Sequence, residues 1–274
     1  MLPAFFVAHG SPMLAIEENP YTQVLGQLGK ALHPKAIVLF SAHWESATQL
    51  VSAVDSYRTI YDFGGFPEAL YQVQYPAKGD ISLAGEVGRL LSAAGIPFQF
   101  DHQRGLDHGA WVPLRRLFPA AEVPVVAMSV NADISPQEQY RIGKALGSLR
   151  EQDVLVIGSG VTVHNFGTIN WRAPAGAADP WAVEFDDWVL NKATAWDLDA
   201  LFAYESLAPH ARLAVPPGGN EHFVPLFYAL GAADASRTAR ELHRSYEMGN
   251  LSYVLWQFGA LPAPHPEAVP TSRS

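Results

Sequence analysis

Apolar residues run through Phe5-Phe6-Val7-Ala8, Ile37-Val38-Leu39-Phe40, Val154-Leu155-Val156-Ile157 and, broken only at Ser129, Val125 to Val130. Such runs, with no polar alternation, predict strands covered on both faces. Between them the spacing turns helical. Asn19-Pro20 offers a cap and a first-turn proline, and Tyr21, Val24, Leu25, Leu28 and Leu32 follow at helical spacing until Pro34. Asp80 caps a helix with Val87, Leu90, Leu91 and Ala94 on its apolar side, closed by Gly95. Ser135-Pro136-Gln137-Glu138 is a capping box for a helix to about Leu149. Asp179-Pro180 begins another, with Trp181, Phe185, Trp188 and Val189 on one face, and a further helix is expected near Pro225. Phe98-Gln99-Phe100 reads as a short strand, Gly105 to Trp111 as a polar loop and Val112 to Phe118 as the start of a short helix.

The alternation of strand and helix predicts an α/β fold with the first two strands parallel. Residues 242–246 and 251–258, turned through Met248-Gly249-Asn250, predict an antiparallel hairpin at the sheet's edge. The expected architecture is a single three-layer αβα domain over residues 1–260 with a central mixed, mostly parallel sheet. Residues 261–274 form a Pro-rich tail.

Several of these strands run straight into polar residues. Phe5 to Ala8 leads to His9-Gly10-Ser11, Ile37 to Phe40 leads to Ser41-Ala42-His43-Trp44-Glu45, and Val154 to Ile157 leads through Gly158 to His164. A fourth loop ends in Glu221-His222. Open α/β sheets bind ligands just past the carboxyl ends of their strands. Imidazole is the commonest metal ligand, so the four histidines are candidates for one site. From spacing alone, four unrelated loop histidines account for the pattern equally well. His108, in Asp107-His108-Gly109, is either oriented by the aspartate or part of a turn. Residues 57–78 form a long insertion dense in aromatics and glycine, the kind of ordered loop that carries function. Gly158-Ser159-Gly160 lacks the spacing of a dinucleotide or nucleophile-elbow motif and reads as a tight loop.

Composition narrows the chemistry. The chain has 274 residues, is 49% apolar and carries a net charge of −9, with no basic run. That argues against nucleic acid or an anionic membrane as partner. There is no cysteine, so a metal would be held by His, Asp or Glu. The N-terminus reads as a strand, not a signal peptide, and no apolar run approaches a membrane span. A soluble cytoplasmic protein, monomeric or a small homo-oligomer, is the expectation.

Six blocks occur in order: His9-Gly10-Ser11-Pro12-Met13, Ser41-Ala42-His43-Trp44, Tyr61-Asp62-Phe63-Gly64-Gly65-Phe66-Pro67, Asp107-His108-Gly109-Ala110-Trp111, Val163-His164-Asn165 and Glu221-His222-Phe223-Val224-Pro225-Leu226. Together they resemble the class III extradiol ring-cleavage dioxygenases, in the DOPA-dioxygenase branch. The resemblance implies a mononuclear metal site of His9, His43 and His222, with Glu221 the alternative to His222. It implies Fe(II) for activity, with Zn(II) a possible occupant. It matches His164 to the family's acid–base histidine, a fourth-ligand role being the alternative, and gives His108 a part in stabilising an anion. Tyr61, Phe63, Phe66 and Trp44 would contact the ring of a catechol, and O2 would be the co-substrate. Two other readings stay open: a non-catalytic metal-binding interaction protein of the same fold, and a zinc-dependent hydrolase.

Overall fold

The apolar run at Ile37 is the middle of strand β2 (Ala36–Glu45), and its side chains alternate between two cores. Val38 and Phe40 face one core, Ile37 and Leu39 the other, and all four are fully buried. This is why the run shows no polar alternation. The structure, a computed structural model, describes residues 1–261. Its other strands are β1 (Ala4–Ala8), β3 (Gln49–Ser52), β4 (Phe98–Asp101), β5 (Val125–Val130), β6 (Val154–Gly160), β7 (Ala239–Glu247) and β8 (Leu251–Phe258). They form one sheet in the order β4-β3-β5-β2-β6-β1-β8-β7. The central strands β5, β2, β6 and β1 are parallel, and β8 and β7 close one side antiparallel.

The helices are α1 (Pro20–Ala31), α2 (Glu68–Tyr71), α3 (Ile81–Ala93), α4 (His108–Leu117), α5 (Pro136–Ala145), α6 (Pro180–Thr194), α7 (Leu198–Phe202), α8 (Tyr204–Leu207), α9 (Ala211–Ala214) and α10 (Pro225–Ala232). Buried residues of α1 and α4 share one core, and those of α3, α5, α6 and α10 share the other. The mixed α/β sandwich expected from the sequence is therefore present. Its caps form as the sequence indicates. Asn19 Oδ1 accepts from Thr22 N at 2.9 Å, Asp80 Oδ1 from Leu83 N at 2.8 Å, and Ser135 and Glu138 make a reciprocal box.

The first two strands are parallel, as expected, with β6 between them. Several expectations are corrected. Strand β2 continues past Phe40 to Glu45, with a register shift against β5 in that stretch, so His43 sits on a strand rather than in a loop. Gly158-Ser159-Gly160 is not a loop either; it completes β6. Helix α4 starts at His108, capped by Asp107, four residues before the expected start. The helix from Pro136 stops at Ala145, and a 3-10 segment, Gly147–Gln152, follows. Strand β3 had no signal in a four-residue run of mixed polarity. The expected tail, beyond Leu261, lies outside the described residues.

Candidate active site

The carboxyl ends of β1 and β6 and the extended end of β2 lie side by side, and each delivers a histidine. His9 follows β1, where its backbone N–H donates to Gly160 O at 3.2 Å. Gly10 then turns the chain with φ of +58°, a left-handed conformation that suits glycine. The turn before α10 supplies His222. That turn packs on β6 because Gly158 and Gly160 have no side chains. A Cβ at Gly158 would lie 2.1 Å from Pro225 O, and one at Gly160 2.1 Å from His222 O. Val161 N donates to His222 O at 2.7 Å and fixes the contact.

The three rings converge. His43 Nε2 is 3.1 Å from His9 Nε2 and 3.2 Å from His222 Nε2. A metal about 2.0–2.1 Å from each nitrogen, with angles near 90–109°, would space them about 2.9–3.3 Å apart. The donor set therefore fits a divalent metal bound on one side. The remaining ring nitrogens have carboxylate or hydroxyl neighbours. His222 Nδ1 is 2.7 Å from Glu221 Oε1, His43 Nδ1 is 3.5 Å from Asp62 Oδ2, and His9 Nδ1 is 3.5 Å from Ser159 Oγ. Ser159 gives its own proton to Gly109 O, so toward His9 it can only accept. Such partners hold the imidazole proton on Nδ1 and leave the Nε2 lone pair free. With Glu221 occupied as the partner of His222, the imidazole is the better placed donor of that pair.

Two further histidines flank the three. His164 stacks on His222, with ring centroids 3.7 Å apart and planes 11° apart. His108, in the first turn of α4, lies 4.0 Å from His43 between centroids. Asp62 accepts the His108 backbone N–H at 2.9 Å and lies 3.0 Å from its Nδ1, though not aligned for a hydrogen bond there. The sequence left Asp107 either as the carboxylate that orients His108 or as part of a turn. That residue is the cap of α4, accepting from Ala110 N at 3.1 Å, from Ser41 Oγ at 2.6 Å and from Arg104 at 2.9 Å.

Burial keeps three of these imidazoles neutral. Burial, helped by the neighbouring imidazoles, holds His9 well below the usual histidine range. The same causes lower His43 to about 2 and His164 to about 3. Burial would raise Asp62, but contact with His108 and His43 outweighs it and holds the carboxyl down at about 2.

The histidines floor a cavity of about 330 Å³. Phe63 and Phe66 line it, and Phe166, Trp171, Met248, Leu251 and Tyr253, which the sequence did not single out, complete the walls. Two expected substrate contacts fall elsewhere. Tyr61 backs the wall, its ring 6.1 Å from Phe63 and its hydroxyl donating to Val73 O at 2.7 Å. Trp44 is 5% exposed and packs in the α1–α4 core, with the Arg104 guanidinium 4.8 Å over its ring. It follows His43 on a strand, so its side chain takes the opposite face. Asp62 and Ser159 could have been suspected only as polar residues inside motifs. Nothing in the pattern marks Tyr253 or Met248, which reach the cavity through the hairpin's position in the sheet.

Residues 3–256 match the family model described as the catalytic LigB subunit of aromatic ring-opening dioxygenase. The chain belongs to the LigB family. Similar LigB proteins include a 4,5-DOPA dioxygenase extradiol of Beta vulgaris, 40% identical over 260 residues, covering 93% of this chain and 95% of that one. Another of the same name, from Escherichia coli K12, is 36% identical over 260 residues, covering 94% and 95%. A crystal structure of an uncharacterized Escherichia coli K12 protein superposes with a TM-score of 0.80 at 33% identity, covering 94% of this chain and all of that one. As a LigB protein the chain is an aromatic ring-opening dioxygenase, metal-dependent and acting with O2 on a small molecule. Among the described residues no helix is long and apolar enough to cross a membrane.

Proposed function

We propose that the chain opens a catechol by extradiol cleavage at one metal held by His9, His43 and His222. The observation that carries this reading is the convergence of three imidazole Nε2 atoms, 3.1 and 3.2 Å apart, at the floor of an aromatic-walled cavity. The names of the similar proteins support the extradiol class. Fe(II) is the metal proposed for activity, and Zn(II) is an alternative occupant of the same nitrogen set. When bound, iron supplies a redox-active centre with positions open to both the diol and O2. The ring bond next to the diol breaks, and both atoms of O2 enter the product.

The protein's part is binding and proton handling. His164 is neutral at physiological pH, so it can take a proton from the diol and return it as the ring opens; such groups contribute about 10²–10⁴-fold in rate. His108 turns the ring edge away from Asp62 toward the cavity, where it would donate to a developing oxyanion when that edge carries the proton. Phe63 and Phe66 cover the ring and exclude water.

The test is anaerobic loading with ferrous iron, addition of catechol and admission of oxygen. A yellow ring-opened product, with one O2 consumed per catechol, is expected; an ortho-quinone or no reaction would overturn the assignment. Alanine at His9, His43 or His222 should each remove the metal by elemental analysis. Full metal content in all three variants would overturn the ligand set.

A further inference from the structure

The catechol reading gives roles to the histidines and to Phe63 and Phe66 and leaves four other lining residues, Phe166, Trp171, Met248 and Leu251, without one. Phe166 stands edge-on to His164, with ring centroids 4.7 Å apart. Phe166 and Trp171 are 64% and 73% exposed, although large aromatic side chains gain by leaving water. Their backbone is held in place. Asn250 Nδ2 donates to Thr168 O at 2.7 Å, Asn170 N to Met248 O at 3.0 Å, and Asn165 Nδ2 to Leu213 O at 2.9 Å. Two fixed aromatic rings thus line the substrate cavity with most of their surface uncovered.

Among the described residues no lysine or arginine lines this cavity. Arg104, which donates to His43 O at 2.9 Å, is held by Asp107 and lies over the Trp44 ring. Asp62 and Glu221 stand against the histidines at its floor, and Glu247 and Glu17 act on Tyr253 from beside the wall. Arg172 follows Trp171 in sequence and does not line the cavity. A carboxylate carried to the Phe166–Trp171 wall would gain no cation from the lining residues and would not cover the exposed rings. An alkyl group there would cover the exposed rings.

Resting on the catechol reading, we propose that Phe166, Trp171 and Met248 set substrate choice. They favour a catechol with an apolar ring substituent over one whose substituent ends in a carboxylate.

The experiment compares kcat/KM for 4-propylcatechol and 3,4-dihydroxyphenylacetate on the iron-loaded protein. The alkyl substrate should be preferred by about 10-fold or more, the scale of hydrophobic-pocket discrimination. Trp171→Ala should narrow that ratio, and Met248→Lys, which brings an ammonium to the wall, should narrow it from the acid's side. Arg172→Ala should leave the ratio unchanged. Preference for the acid in the wild type, or a ratio unmoved by both Trp171→Ala and Met248→Lys, would overturn the inference. So would a selective loss of the acid in Arg172→Ala. Calorimetric binding of the same two catechols without oxygen keeps the two ideas apart. If nothing is ring-opened, the reaction falls, while equal or tighter binding of the acid is what removes the specificity wall.

Discussion

His164 is the residue whose role is most sharply testable. It stacks on His222 rather than completing the three converging nitrogens, and burial together with His222 keeps it neutral, with a pKa of about 3. In the proposed role, His164→Ala retains iron and binds catechol but turns over about 10²–10⁴-fold more slowly. Loss of iron along with activity would make it a ligand, and wild-type turnover would remove it from the mechanism. The same neutrality bears on the metal-free protein. Unfolded histidines titrate near about 6.5, whereas His43 and His164 in the fold hold out to about 2 and about 3, and His9 is lowered as well. Below pH ~6.5 the unfolded chain therefore binds protons that the folded chain refuses, so stability is full above that pH and declines as pH falls. Each such imidazole contributes a slope of up to about 1.4 kcal/mol per pH unit. Urea midpoints of the apoprotein between pH 8 and 5 should fall accordingly, and less steeply in a His43→Gln variant.

At the level of elements, β6 decides whether the site can form. Its two glycines let the turn before α10 approach until a Cβ would sit 2.1 Å from a carbonyl oxygen. Gly160→Ala must push away the residue that carries His222. It should cost several kcal/mol, on the scale of severe core overpacking, and lower metal affinity; thermal melts and metal titration check both. Strand existence was legible wherever a run is buried on both faces, as in β1, β2, β5 and β6, and helix starts were legible from Asn19, Asp80 and Ser135. His9 and His43, two of the proposed ligands, were legible from the apolar runs that precede them, whereas His222 lies in a turn before α10. The remainder depended on pairing. The Gly158–Gly160 stretch reads as a loop until its ladder with β1 and β2 is known. Asp62 gains its role only because the insertion folds back on α4, where Trp111 Nε1 donates to Ile60 O at 2.9 Å. Trp44 was misassigned because the extension of β2 by pairing fixes which face each side chain takes.

Across the whole molecule one buried side chain ties the residues before β1 to the end of α10 and the turn after it. Arg150, 1% exposed, donates to Leu2 O at 2.7 Å, to Ala232 O at 2.8 Å and to Ser236 Oγ at 3.1 Å, and burial lowers its pKa to about 10. Arg150→Met would leave those two carbonyls unpaired and should lower stability by ~3 kcal/mol, read as a shift in the denaturant midpoint at an unchanged m-value. The sheet order has a further consequence. Strand β1 is flanked by β6 and β8, so Ala4 pairs with Val156 and with Phe258. At about 5–20 residues per second, a ribosome needs roughly 10–50 s after making β1 to deliver its second neighbour. Throughout that interval a wholly apolar segment has one open edge. The nascent chain therefore carries a sticky strand out of the exit tunnel until β8 has emerged.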